Sequence, residues 1–202
     1  SGFPGIRPRG DVFGTLDGLA QYPYIRESRR IQAVFTSVEQ HFRRDVPGNE
    51  SGPVRYPDSV GVGGYRIDIH EAGKHGKSLT LEMHETAWPQ QIALGSFIPV
   101  RVENLLPACK NLGATHITNG CYRLHPTEWN IGESAGALAS YCLNNNLSPR
   151  AVHADNDQTR DFQRLLIKLG VELEWPGLDF ARSYNSHFVH VPDWYWGEAR
   201  LQ

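Results

Sequence analysis

The stretch CYRLHPTEWNIGESAGALASYC, Cys121 to Cys142, decides how the chain is read. Its second half has helix character, yet it opens on small residues: Gly132, Ser134, Ala135, Gly136 and Ala137. A glycine inside a helix costs about 1 kcal/mol relative to alanine, so two of them in the first turns need a reason. Gly132 and Gly136 stand four apart, with Ala135 and Ala139 on nearly the same face. A smooth face of this kind admits a flat group or another backbone at short range. Thr127 or Asn130 can cap the start, and Asn130-x-x-Glu133 resembles a capping box. The pattern predicts a helix over 127–144, with an asparagine run at its end. Its first N–H groups lack intrahelical partners and carry partial positive charge. Two readings stand at this point. One is tight helix–strand packing with no ligand. The other is an anion or a polarised carbonyl held at the helix N-terminus.

Upstream, GGYRIDIHE is the cleanest strand signal. Tyr65, Ile67 and Ile69 alternate with Arg66, Asp68 and His70, so one face is apolar and the other carries a cation, a carboxylate and an imidazole. LTLEMHETAW suggests a second strand, and SFIPVRVENLLPACK strand material broken by Pro99 and Pro107. In YIRESRRIQAVFTSVEQHFRRD, Thr36-x-x-Glu39 favours a strand through about Phe35 and a short helix to Arg44. Residues 45–57 predict a loop. Downstream, QTRDFQRLLIKLGVEL predicts a helix with Phe162, Leu165, Leu166 and Leu169 as its stripe and Gly170 as its stop. The Gly- and Pro-rich residues 1–24 predict an irregular lead-in, and the last thirty residues an aromatic, loop-rich tail with Trp175, Trp194 and Trp196.

The chain has 202 residues, a net charge of -2, 40% hydrophobic and 21% charged residues. These values fit one large or two small globular domains. They give no footprint for nucleic acid and no polybasic membrane signal, and no apolar run reaches membrane-span length. Cys109, Cys121 and Cys142 form no CxxC pair and are expected as reduced thiols. The N-terminus carries no signal peptide and is expected to enter from upstream structure. Compartment and oligomeric state have no signature in the sequence.

Several motifs fail on their chemistry. GKHGKS, residues 73–78, ends like a phosphate loop, but Glu71 stands where the first glycine belongs. GVGGY, residues 61–65, lacks the third glycine of a dinucleotide fingerprint, since Arg66 occupies its place, and it precedes a strand instead of following one. His70, His84, His116 and His125 show neither HxH nor HExxH spacing, so no metal is expected. The Trp and Tyr content also fits a sugar-stacking surface, although aromatic residues more often build the core.

Four segments carry a resemblance in order: YIRESRRI (24–31), DSVGVGGYRIDIHE (58–71), FIPVRVENLLPACKNLGATH (97–116) and NGCYRLHPTEWNIGESAGALASYC (119–142). Together they resemble the C-terminal half of the FAD-dependent oxidoreductase family, some members of which are labelled xanthan lyase. The resemblance implies a glutathione-reductase-type flavin fold in mixed α/β form. Residues 1–100 would be a β-rich substrate region. Residues 101–202 would hold the strand and helices that complete the FAD-binding domain, plus an aromatic tail, with NLLPACK as the return strand. The N-terminal Rossmann segment is absent, and GxGxxG occurs nowhere in the chain.

In such folds the helix starting near Thr127 points at the pyrimidine edge of the flavin, where its dipole stabilises the reduced, anionic ring. The resemblance thus implies cofactor contacts from Thr127, Trp129, Asn130, Ile131 and Gly132. It implies catalytic roles for His70, Asp68 and Arg26, with His70 taking a proton from a substrate hydroxyl, and substrate contacts from Arg29, Arg30, Tyr122 and Arg123. The alternative for the arginines is ion pairing with Glu27 and Asp68. The expectation is hydride transfer from a hydroxylated or carboxylated small molecule, with FAD held weakly or not at all by this chain alone. Its partners are the substrate and the missing Rossmann segment, with no nucleic acid or membrane. The alternatives are a flavin-free carbohydrate-binding or polysaccharide-processing module and a His-metal hydrolase.

Overall fold

Alternating glycines shape the first strand. The computed structural model describes residues 11, 14–16, 29–69, 83–85 and 87–175, and for 83–85 the backbone alone. Strand β1, Ser59–Gly63, pairs antiparallel with β4, Gln90–Ala93, matching Gly61 to Ile92 and Gly63 to Gln90, with a bulge between Ser59 and Gly61. A second antiparallel pair joins β2, Ile67–Ile69, to β3, Met83–Glu85, with Asp68 opposite His84. Four helices follow: α1 His116–Tyr122, α2 His125–Asn145, α3 Pro149–Ala154 and α4 Asn156–Leu169. The architecture is therefore mixed α/β, with small sheets and several helices.

Local chemistry accounts for most of these limits. Thr115 caps α1 by accepting from the Thr118 N–H, Ser148 caps α3 through Ala151, and Asp155 caps α4 through Asp157 and Gln158. Gly170 stops α4 in the left-handed conformation at φ 91°, as its sequence predicts. The expected stripe of α4 is only partly buried. Phe162 and Leu166 enter the core, Leu165 is partly buried, and Leu169 is exposed. Helix α2 begins two residues earlier than predicted. Its N-cap is Leu124, which makes no side-chain cap, and Pro126 suits the first turn because it lacks an N–H there. Thr127 and Asn130 lie inside the helix and do not cap it.

Three other expectations are corrected. Residues 31–44 form no continuous strand and helix. They form isolated bridges at Ala33, Ser37 and Arg43 and a short 3-10 turn, Glu39–His41. The Leu94–Phe97 region likewise coils into a 3-10 turn, and residues 104–110 form no strand, so the return strand is not there. In strand β2 the expected polar face is covered at Asp68. Ile67 and Ile69 are buried, and so is Asp68, because α1 lies on it. Within the predicted loop 45–57, Asn49 is buried and bound, its Nδ2 donating to the Gln40 and Arg43 carbonyls while its own carbonyl accepts from Trp88 Nε1.

The core is one cluster drawn from both sides of residue 100, including Phe42, Val60, Ile92, Phe97, Tyr122, Ile131, Leu138 and Phe162. All three cysteines are free, with Cys121 and Cys142 buried. Among the described residues no helix is long and apolar enough to cross a membrane.

One surface staple carries a pH signature. Asp58 accepts from the Gly95 N–H at 2.8 Å and faces His153 Nε2 at 3.6 Å, tying α3 to the strand pair. Burial pushes the Asp58 carboxyl up, but His153 and the Gly95 N–H outweigh it and hold the carboxyl below its ordinary value. Its stabilisation is thus present above the unfolded value of 3.8 and is lost as pH falls through the folded value. Burial also lowers the His41 pKa below 6.5, so acid favours the unfolded chain from there downward. Thermal melting temperatures should therefore fall in two acid steps. His153→Ala should flatten the lower step and leave the upper one in place.

Candidate functional site

The helix glycines were expected to let a partner approach, and Gly132 does so, but the strand provides the closest contact. Helix α2 runs antiparallel to β1 and is clasped to it at three levels. Thr127 lies against Gly63, Asn130 Oδ1 accepts from the Val62 N–H at 2.8 Å, and Ser134 Oγ donates to the Val60 carbonyl at 2.6 Å. A Cβ on Gly61 would stand 2.0 Å from Asn130 Oδ1, and one on Gly63 would stand 2.8 Å from Thr127 Cγ2. Both glycines are two apart and so share one strand face. At these two positions the face has no side chains, and α2 fills the space. The G-x-G alternation was visible in the sequence as a failed nucleotide motif. Its period of two is the signal of a bare strand face.

The two helix glycines differ from each other. A Cβ on Gly132 would lie 3.0 Å from the Ala108 carbonyl, so Gly132 admits the 104–110 segment. A Cβ on Gly136 would meet nothing within 4 Å. Gly136→Ala should accordingly stabilise the chain by about 0.5–1 kcal/mol, the helix-propensity difference. A denaturant midpoint that stays put or falls would show that this face is covered.

At the start of α2, His125 and Pro126 are exposed and no side chain caps the helix. Trp129 stands out at 71% exposure. Thr127 and Ile131 are buried, and Asn130 is spent on Val62. Glu128, in the first turn, has its carboxyl pushed up by burial, against the opposing pull of Lys110, His125 and Arg123.

Just before this helix, Arg123 turns back onto β2. Its Nη2 donates to Asp68 Oδ2 at 2.8 Å and to the Asp68 carbonyl at 3.0 Å, and both side chains are buried. Arg66 adds a looser contact to Asp68 at 3.5 Å. Gly120 makes this possible, since a Cβ there would sit 2.9 Å from the Asp68 carbonyl oxygen. Tyr122 is also buried, its hydroxyl donating to the Gln91 carbonyl at 2.9 Å. The structure therefore brings Asp68, Arg123 and Tyr122 into the interior around α1, where none faces solvent. Arg29 is exposed and Arg30 half-buried. His70 and Arg26 lie outside the described residues, as do the loop at Gly73 and Gly76 and the tail beyond Trp175. The sequence reading missed Ser37, Tyr56 and Gln91, which gather around Tyr122. Ser37 and Tyr56 are single polar residues in irregular segments and leave no periodic trace, and Gln91 takes part through its backbone carbonyl, which no side-chain pattern announces.

No curated protein and no solved structure matches the chain. A family model described as FAD dependent oxidoreductase matches residues 3–166. That span takes in β1, β2, the clasp of α2 on β1 and nearly all of α4, and the chain belongs to the FAD dependent oxidoreductase family.

Proposed function

We propose that this chain is the C-terminal portion of a flavin oxidoreductase that takes hydride from a hydroxylated or carboxylated small molecule. The family match over residues 3–166 carries the reading. When bound, FAD supplies the hydride acceptor.

The residues present fit that cofactor only along one edge. The uncapped, exposed start of α2 offers backbone donors suited to the electron-rich edge of a flavin ring. Of the five nominated contacts, only Trp129 has an exposed side chain; Thr127, Asn130, Ile131 and Gly132 are engaged within the fold. A diphosphate requires a glycine-rich turn feeding a helix N-terminus. The described helices start instead at Thr115, Leu124, Ser148 and Asp155. The described residues alone do not supply a complete FAD site. In this proposal the missing part is a Rossmann segment. The division into a substrate region over 1–100 and a cofactor region over 101–202 belongs to the same reading. So do a glutathione-reductase-type arrangement, a xanthan-lyase-like label, anion contacts from Arg26, Arg29 and Arg30, and a proton acceptor at His70. Asp68, Arg123 and Tyr122 would then act by holding α1 in place beneath the site.

The test is a titration. The chain alone should release FAD on dialysis and turn colourless. Supplied with a dinucleotide-binding segment from the same family, it should retain the flavin and its absorbance. Retention of about one FAD per chain without that segment would end the partial-site reading. No retention in either case would end the flavin reading.

A further inference from the structure

Apart from the start of α2, a second polar arrangement threads the core. It comprises His41 on the 3-10 turn, Tyr56 in the segment before β1, Ser37 at an isolated bridge, Tyr122 at the end of α1 and Gln91 on β4. Four contacts link them in a row. His41 Nδ1 lies 2.9 Å from the Tyr56 hydroxyl, which lies 3.1 Å from Ser37 Oγ. Ser37 Oγ lies 3.2 Å from the Tyr122 hydroxyl, which lies 2.9 Å from the Gln91 carbonyl oxygen.

Counting protons settles the direction. Four contacts need four protons, and the three hydroxyls hold one each. The Gln91 carbonyl only accepts, so Tyr122 must donate to it. The Tyr122 oxygen then accepts from Ser37, and Ser37 accepts from Tyr56. Each hydroxyl proton is now used, and the contact between Tyr56 and His41 still needs one. We propose that His41 is held as the neutral tautomer protonated at Nδ1, donating into a one-way chain that ends at Gln91. The opposite arrangement, with Tyr56 donating to a bare Nδ1, would leave one buried oxygen–oxygen contact without a proton. The Val38 N–H points at Nδ1 as a donor, but at 3.4 Å this is the longest of these contacts, and the proposed tautomer gives it up in exchange for the missing proton of the row.

The surroundings favour a neutral ring. Phe35 stacks on the imidazole at 5.5 Å and meets Tyr56 edge-on at 5.1 Å. The nearby charges on the same turn are engaged with each other, Arg43 with Glu39 at 3.9 Å and with Asp45 at 2.5 Å. On the Tyr56 side, Asp58 is engaged with Gly95 and His153. Burial keeps the His41 pKa below its ordinary value. The consequence is an imidazole whose Nε2 carries a lone pair instead of a hydrogen, a base on a half-buried side chain able to accept from an N–H or O–H donor. The tautomer is set from Tyr122, 85 residues from Ser37 in sequence.

Nitrogen-15 NMR of the labelled full chain, above the His41 titration, tests this independently of flavin binding. Wild-type His41 should show a protonated Nδ1 and a bare Nε2. Tyr122→Phe removes the Ser37 acceptor; Ser37 then turns to Tyr56, Tyr56 turns to His41, and the tautomer should reverse to Nε2–H. Ser37→Ala should reverse it too, and serves if Tyr122→Phe does not fold. An Nε2–H form in the wild type overturns the proposal. So does an Nδ1–H form that survives whichever of the two changes gives a folded chain, since the chain of hydroxyls would then not be what sets it.

Discussion

Arg123→Met is expected to cost about 3–5 kcal/mol of stability, the usual result of removing one partner from a buried ion pair. For a chain of this size that lowers the melting temperature by on the order of 10 °C. The geometry explains the scale. Asp68 keeps its carboxylate 2.8 Å from Arg123, and the same Nη2 also donates to the Asp68 carbonyl. Without Arg123 a buried carboxylate loses its main counter-ion, and Arg66, half in solvent at 3.5 Å, replaces it poorly. Asp68→Leu should cost a similar amount by taking the carboxylate away from the buried Arg123. Combining Asp68→Leu with Arg123→Met should recover most of the loss, because two apolar side chains need no compensation. Urea denaturation of the four proteins measures the coupling directly. If both single variants unfold at the wild-type midpoint, the pair does not hold α1 on β2, and a direct role in substrate chemistry becomes the better account of both residues.

Gly113→Ala is expected to be at least as damaging as any of the other glycine changes, at about 3 kcal/mol or more, the upper end for overpacking. A Cβ there would lie 2.3 Å from the Phe35 carbonyl oxygen and 2.5 Å from Ala33 Cβ, and neither can rotate away. Gly113 also donates to the Ser96 carbonyl and accepts from the Ser37 N–H, so the strain would spread along both segments. Gly61→Ala should be milder, at about 1–3 kcal/mol. There the obstacle is the end of the Asn130 side chain, which can swing out but only by giving up Val62. Denaturant midpoints should therefore rank Gly113→Ala lowest, Gly61→Ala next and Gly136→Ala above wild type. A Gly61→Ala midpoint equal to wild type would mean that α2 is not seated on β1 at this distance.

The parts of the fold visible in the sequence are those where a local rule and the tertiary structure agree. Helix α4 shows this best, since its Asp155 cap, its buried Phe162 and Leu166 and its Gly170 stop all act within one segment. Strand β2 appeared where the alternation predicted it, but its polar face is covered at Asp68. Nothing local announces that Gly120 will bring α1 onto Asp68. The start of α2 was misplaced for a related reason. Thr127 and Asn130 are good caps in isolation, and packing on Gly63 and bonding to Val62 claim them instead. The glycine question at the centre of the sequence had an answer that the helix supplies only in part. Close approach exists at Gly132, which admits the Ala108 carbonyl, but Gly61 and Gly63 provide the tighter contact. The family was legible because four segments in fixed order carry far more information than any single motif, and the match over residues 3–166 agrees with them.

The clasp between β1 and α2 also sets an order of assembly. The bond from Val62 to Asn130 spans 68 residues, so it forms only after a long loop has closed, a step whose entropy cost precedes any reward. The α3–α4 pair needs no such closure, because its caps lie within a few residues of the groups they satisfy. Helical structure at the C-terminal side is therefore available first. Until α2 arrives, β1 is a glycine-rich ribbon with little side-chain surface to pin its register, and the helix chooses the register for it.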